Sequence, residues 1–226
     1  MDGSSGKQNE KNRENQAEKI GSCLMDVSPS ICKINFHNVT VSGFLIKLDK
    51  HDGPLFCLMT NGHIFTNEMI QKKETIDIYY NNQYNMIRIE LNNNERYIKN
   101  FLDLNIDCLI VEILPKDEIN EKFFLFPNID YINNVNKLKD KKIYIMQYPK
   151  GILSNSRGEI KDIDINEFSH NANTDYGSSG SPIFLLDTNK VIGIHKSTSI
   201  NERINFGDFI FPIINTVCYV PWSTIL

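Results

Sequence analysis

The sequence has 226 residues, of which 41% are hydrophobic and 23% are charged. These proportions are those of an ordinary globular protein and exclude a disordered, collagenous or membrane-embedded chain. The formal net charge is -4 at pH 7, and Lys and Arg are dispersed along the chain rather than gathered into a stripe. Because no basic surface is indicated, we expect no nucleic-acid partner.

The first 20 residues are rich in Asn, Lys, Glu, Gln and Ser and have almost no apolar anchor. Such a composition does not offset the entropy of ordering, so residues 1–20 are predicted to form a flexible polar tail and residues 21–226 a folded domain. The tail lacks the apolar core of a secretory signal, and no later apolar run is long enough to span a bilayer. The sequence therefore predicts a cytoplasmic protein with no membrane partner.

The chain contains five cysteines, at Cys23, Cys32, Cys57, Cys108 and Cys218. They form no C-x-x-C pair, and an odd number cannot close into a complete disulfide set, which favours a reduced compartment. Cys57 and Cys108 lie inside apolar runs and are predicted to be buried in the core. No His, Cys or Asp cluster has the spacing of metal ligands, so neither a metal nor an organic cofactor is expected.

Short apolar runs that are typical of β-strands recur from residue 39 onwards, bounded by Asn, Asp, Gly or Pro. They are Val39–Leu48, Leu55–Thr60, Thr75–Tyr80, Asn85–Leu91, Cys108–Leu114, Lys142–Gln147, Pro182–Leu186, Lys190–His195 and Asp208–Pro212. The Asn-rich stretches Asn81–Asn82 and Asn92–Asn94 are interpreted as hairpin loops, because Asn tolerates turn conformations. No amphipathic helical period separates the strands, so the sequence predicts an all-β barrel or sandwich.

The strongest local motif is the run from Gly177 to Pro182, GSSGSP, directly before an apolar strand. Small residues let the backbone curl so that successive N–H groups point at one place, as an oxyanion hole requires. A serine nucleophile would suit this turn, and an ordinary Ser/Gly loop is the alternative. A Ser hydroxyl also needs an adjacent base that is oriented by a third group.

His63 follows an apolar strand and a polar turn, which places an imidazole at the end of a strand. His37 and His51 lie in polar connections and are predicted to be solvated surface residues. A carboxylate is then needed to fix the imidazole tautomer, and Asp107 stands immediately before a buried strand. Asp103 is the rival, but it lies among loop-like residues.

Three motifs in the order His, Asp, Ser, which are TNGH at His63, DCLIV at Asp107 and GSSGSP around Ser179, resemble the trypsin-like peptidase family. The resemblance covers about residues 38 to 215. It implies two antiparallel β-barrels of the chymotrypsin type with the active site between them. We therefore expect an N-terminal barrel to about residue 115 and a C-terminal barrel from about residue 140.

The resemblance also implies roles for individual residues. Ser179 would be the nucleophile, His63 the general base and then acid, and Asp107 the orienting carboxylate, with the N–H groups of Gly177 and Ser179 as the oxyanion hole. Many secreted relatives have Asp before the nucleophile, where it captures an amine made by zymogen cleavage. This chain has Ser178 there, so we expect no such activation.

A finer resemblance concerns specificity. The run GSSGSPIF and the later VIGIH are similar to the glutamyl endopeptidase branch, in which a His and a Thr or Ser line the S1 pocket. The matching residues are His195 and Thr174, and a cationic or donor imidazole with a hydroxyl could bind Glu, Asp or Gln at P1. Asn173 is neutral where an Asp would attract a basic P1 residue. A half-buried structural His195 is the alternative, and His170 could line the cleft without an assigned role.

We therefore expect a serine endopeptidase that acts on a peptide or protein substrate through an acyl-enzyme. The alternative is a non-catalytic protein-binding module that keeps the protease fold. The sequence gives no indication of the oligomeric state.

Overall fold

A computed structural model describes residues 27–186, 188–199 and 204–219. The predicted tail at residues 1–20 and the residue Cys23 lie outside the described residues. Within the described ranges, no helix has the length and apolar character that crossing a membrane requires. The described residues form two curled β-sheets that are joined by turns and loops, which confirms the all-β prediction.

The first sheet is an open half-barrel of seven strands in the order β5-β4-β1-β2-β3-β7-β6. Every neighbouring pair within it is antiparallel. Its strands are β1 (Ile31–Phe36), β2 (Val39–Lys50), β3 (Gly53–Thr60), β4 (Thr75–Tyr80), β5 (Asn85–Glu90), β6 (Ile98–Asn100) and β7 (Leu109–Glu112).

The second sheet closes on itself, because β12 pairs with both β9 and β13. Around this barrel the order is β12-β9-β10-β11-β14-β13, and β8 adds to β13 in parallel. Its strands are β8 (Phe126–Pro127), β9 (Lys142–Gln147), β10 (Ser154–Ile163), β11 (Glu167–His170), β12 (Pro182–Leu185), β13 (Lys190–Ser199) and β14 (Ile204–Phe209).

Among the residues that the structure describes, helical structure is limited to short turns. The two α-helical turns are α1 (Asn67–Gln71) and α2 (Phe211–Ile214), and a π-helical turn follows at Asn215–Tyr219. Further 3-10 turns lie at Ser28–Ser30, Leu102–Leu104, Pro115–Asp117, Glu121–Phe123, Val135–Leu138 and Pro149–Gly151.

The segment that connects the two barrels pairs with both of them. Leu125 donates its N–H to Leu45 O and accepts from Lys47 N, each at 2.9 Å, in the first sheet. The next residues form β8 beside Val191 of the second barrel, and Asn128 N donates to Val191 O at 2.7 Å. One apolar core also runs between the barrels and contains Phe44 and Met59 from the first and Ile145 and Ile183 from the second.

Two details of the predicted strands and loops are wrong. Asn92–Asn94 do not close a hairpin, because the strands on either side, β5 and β6, lie at opposite edges of the first sheet. The predicted strand Asp208–Pro212 is instead the end of β14 followed by α2, where Pro212 occupies the first helical turn, a position that tolerates its missing N–H. Asn81–Asn82 do form a hairpin turn, and both residues adopt positive φ.

The described cysteines, Cys32, Cys57, Cys108 and Cys218, are all free thiols. Cys57 and Cys108 are fully buried in the core between the barrels, as the sequence predicted. Burial raises the pKa of both thiols well above the usual value, so they are neutral and unreactive at neutral pH. A reduced, cytoplasmic location stays a prediction.

Candidate active site

His63 and Asp107 lie side by side in the first barrel. His63 follows the end of β3, and Asp107 precedes β7, the strand that pairs with β3. The ring Nδ1 of His63 lies 2.5 Å from Asp107 Oδ2, and the backbone N–H of His63 donates to Asp107 Oδ1 at 2.8 Å. A carboxylate that holds Nδ1–H fixes the tautomer in which Nε2 is free to accept a proton.

The backbone of Asp107 is itself fixed on both sides. The side-chain amide of Asn61 donates to Asp107 O at 2.8 Å, and the N–H of Asp107 donates to Asp208 Oδ2 at 2.6 Å. The carboxyl group of Asp107 is almost wholly buried, whereas half of the His63 side chain is exposed. This arrangement leaves the imidazole accessible and its orienting carboxylate shielded from water.

The rival residues are placed elsewhere. Asp103 lies in an exposed 3-10 turn, and the carboxylate that contacts His63 is that of Asp107. His37 and His51 are exposed in the turns after β1 and β2, as the sequence predicted. The structure thus brings together the His and Asp that the sequence favoured.

The loop that carries Ser179 is tied to the first barrel through Ser42 of β2. Ser42 N donates to Ser179 O at 3.1 Å, and Ser42 Oγ donates to Gly177 O at 2.8 Å. Gly180 lies so close to Ser42 that a Cβ atom would stand 2.2 Å from its carbonyl oxygen, and its φ is 87°. Only glycine fits this position, because the two barrels approach each other closely here.

Two backbone N–H groups in this loop have no acceptor among the described residues. Among the hydrogen bonds of the described residues, none has the N–H of Gly177 or Ser179 as its donor. Gly177 has a φ of 93°, and a Cβ atom there would stand 2.8 Å from Tyr148 O. A turn of this kind directs successive N–H groups towards one place.

Ser178 has a structural role. It is fully buried, and its Oγ accepts the N–H of Asp175 at 3.0 Å. Its hydroxyl therefore stabilises the turn that precedes Ser179. It offers no carboxylate to a newly formed amine.

Thr174 belongs to a cluster of polar side chains on the second barrel. Its hydroxyl donates to Asn205 Oδ1 at 2.8 Å and lies 3.1 Å from Thr198 Oγ1. Asn205 in turn donates from Nδ2 to Ala172 O at 2.7 Å. Sequence reasoning missed Asn205 and Thr198, because they lie 31 and 24 residues from Thr174 and no local motif marks them.

His195 is anchored directly to the loop that carries Ser179. Its N–H donates to Ser181 O at 2.8 Å, and its carbonyl accepts from Gly180 N at 3.0 Å. Only 2% of His195 is exposed, and burial lowers its pKa to about 4. The ring is therefore neutral at neutral pH. In the unliganded protein His195 does not offer the imidazolium cation that the sequence analysis considered as a partner for an acidic P1 residue. No hydrogen bond joins His195 to Thr174 within the described ranges.

His170 lies beside His195, with the two ring centroids 5.5 Å apart in an edge-to-face arrangement. It is fully buried, and neither ring nitrogen has a hydrogen-bond partner among the described residues. Burial, with a smaller contribution from His195, lowers the pKa of His170 to about 3. The two rings form a neutral buried pair, so His170 does not line an open surface.

The described residues contain no group of three or more His, Cys, Asp or Glu side chains that could hold a metal ion.

Comparison with known proteins supports this description. Residues 41–194 match the sequence profile of the trypsin-like peptidase domain. The fold is similar to a serine endoprotease from Yersinia pestis, with a TM-score of 0.64 and 15% identity over 88% of this chain and 64% of that chain. It is also similar to the active form of the Rv3671c protease from M. tuberculosis, with a TM-score of 0.59 and 16% identity over 83% of this chain and 78% of that chain. Among curated proteins there is no significant match.

Proposed function

Because the chain belongs to the trypsin-like peptidase family and is a serine endopeptidase, we propose that Ser179 is its nucleophile, with His63 as the base and Asp107 as the orienting carboxylate. The observation that carries this proposal is the pair of hydrogen bonds by which Asp107 holds both the ring and the backbone of His63. The loop of Ser179 is fastened to the same barrel through Ser42, which supports a fixed position for the nucleophile.

In the proposed reaction, Ser179 Oγ attacks the carbonyl carbon of the scissile peptide bond while Nε2 of His63 takes the hydroxyl proton. The negative charge on the carbonyl oxygen is stabilised by the N–H groups of Gly177 and Ser179. His63 then gives its proton to the leaving amine, which breaks the C–N bond and leaves an acyl group on Ser179. A water molecule activated by His63 hydrolyses this ester and restores the hydroxyl.

Labelling with a fluorophosphonate tests this proposal against the alternative of a non-catalytic module. The reagent reacts only with an activated serine, so we expect one label on Ser179 in the unmodified protein. Ser179→Ala should abolish labelling, and the matched control Ser154→Ala, which changes a serine on β10, should retain it. A folded protein without label on Ser179 would favour the binding module.

For specificity we propose that the P1 residue is Gln, Glu or Asp. His195 and Thr174 support this proposal. The backbone of His195 is hydrogen-bonded to the loop that carries Ser179, and Thr174 directly precedes that loop in the chain. A neutral imidazole and a hydroxyl recognise polar P1 groups by hydrogen bonding. Asn173, six residues before Ser179, offers no charge to a Lys or Arg side chain.

We expect His195→Leu to lower kcat/KM for substrates with Gln or Glu at P1 by roughly 10- to 100-fold, the effect of one lost hydrogen bond to a polar or charged group. Because the pKa of His195 lies near 4, the ratio of Glu to Gln cleavage should stay constant between pH 6 and pH 8. Kinetics on peptides that differ only at P1 measure both effects. The control is His51→Leu in an exposed turn. Unchanged selectivity in His195→Leu would make His195 a purely structural residue.

A further inference from the structure

Asp208 is a buried carboxylate that lies where the two barrels meet. It belongs to β14 of the second barrel and is 0% exposed. Its Oδ2 nevertheless accepts the N–H of Asp107, which lies in the first barrel and is 101 residues away in sequence, at 2.6 Å. The second barrel therefore reaches the backbone of the residue that orients His63.

Charged groups face Asp208 from three elements. Lys196 of β13 places its Nζ 3.5 Å from Asp208 Oδ1 and 2.7 Å from Glu167 Oε2, and Glu167 is the neighbour of Asp208 on β11. From the first barrel it meets Asp107 and the neutral thiol of Cys108. The contact with Lys196 is long for an ion pair, so the charge of Asp208 is only partly compensated.

Burial is the main cause that raises the pKa of Asp208, to about 6. The charges of Glu167 and Asp107 act in the same direction, whereas the Asp107 N–H and Lys196 oppose them. Asp208 is therefore ionised above about pH 6 and becomes neutral below it.

We propose that Asp208 is a positioning residue of this peptidase, which holds the backbone of Asp107 in place and adds negative charge to the field around the His63 imidazolium. The proposal rests on the proposed roles of His63 and Asp107. With Asn61 on its carbonyl and Asp208 on its N–H, the peptide backbone of Asp107 is held from both barrels. Small displacements of reacting groups lower the reaction rate strongly. Holding the backbone of Asp107 in place therefore helps to keep the imidazole of His63 in the position from which it accepts the proton.

A purely structural role would not require a carboxylate. An Asn at this position could accept the Asp107 N–H without the cost of burying a charge, which is several kcal/mol for an ion removed from water. A fully buried Asp with one long ion pair therefore points to a use for the charge itself. The negative charge of Asp208 would stabilise the positive charge that develops on His63 while Ser179 attacks.

The test compares the unmodified protein with Asp208→Asn, measuring kcat/KM from pH 5 to pH 8. At pH 8 we expect the variant to be about 10-fold slower, mainly in kcat, because it lacks the charge. The difference should disappear towards pH 5, where Asp208 is itself neutral and resembles Asn. Asp162→Asn, an exposed carboxylate of β10, is the matched control.

Lys196→Met provides a second, independent measurement if Asp208→Asn fails to fold. Removal of the nearby cation should move the acidic limb of kcat/KM to higher pH, because ionised Asp208 loses its partner. Each of three results would overturn the inference. The ratio of kcat/KM between the unmodified protein and Asp208→Asn could be constant with pH, or Asp208→Asn could be fully active at pH 8. The acidic limb of kcat/KM could also stay at the same pH in Lys196→Met. Fluorophosphonate labelling of Ser179 in the unmodified protein keeps these outcomes separate from failure of the proposed function.

Discussion

Replacement of Ser179 with Ala is expected to lower kcat for peptide hydrolysis by roughly 10⁵- to 10⁶-fold, the loss seen when a serine nucleophile is removed. In the proposed mechanism the Ser179 hydroxyl is the attacking group, and the two neighbouring serines are not expected to take its place. Ser178 is fully buried with its Oγ bonded to Asp175, and Ser181 donates its hydroxyl to Ser178 O at 2.6 Å. Ala should fit the turn, so the fold and KM should change little.

Steady-state kinetics with a peptide substrate and circular dichroism together check this expectation. The double variant Ser179→Ala with His63→Ala should be scarcely slower than Ser179→Ala alone, because the groups act as one unit. Ser154→Ala again serves as the matched control. Turnover above about one hundredth of the original rate in Ser179→Ala would refute the assignment of the nucleophile.

The second large effect is expected for Asp107→Asn, which should lower kcat by about 10⁴-fold while leaving the fold intact. The carboxylate accepts two hydrogen bonds from His63, and an amide can accept only on its oxygen. If the amide NH₂ faces Nδ1, the proton of the ring moves to Nε2, which can then no longer accept the proton of Ser179.

Asp103→Asn is the matched control, since Asp103 was the rival carboxylate and lies in an exposed turn. It should retain full activity. Rates of fluorophosphonate labelling should follow the same order as kcat, because labelling also needs the neutral base. Equal losses in Asp103→Asn and Asp107→Asn would show that the carboxylate does not act through His63.

The sequence was sufficient to predict the contact between His63 and Asp107, because each residue sits at the end of a clearly apolar strand. The sequence was not sufficient to predict the strand β10. Most of its ten side chains are polar, and Ile160 is its only fully buried residue. In a closed barrel such a strand is held by backbone hydrogen bonds on both edges, so it needs little apolar character. The strand β1 was also not predicted, although its buried residues Ile31 and Ile34 lie in a short apolar run of the kind that indicates a strand.

The supporting residues of the site could not be predicted because their partners are distant in sequence. Ser42 lies 135 residues from Gly177, and Asp208 lies 101 residues from Asp107. Neither belongs to a local motif, and each gains its role only when the barrels pack together. The burial of His195 is a similar case, since a His at the end of an apolar run can be either exposed or enclosed.

The connecting segment has a consequence for how the enzyme admits its substrate. Leu125 is bonded to β2, and β8 with Asn128 is bonded to β13, within four residues of chain. Rotation of the two barrels away from each other would therefore break backbone hydrogen bonds of this segment with at least one of them. We therefore expect substrate access to depend on the side chains and loops around the candidate site rather than on domain closure.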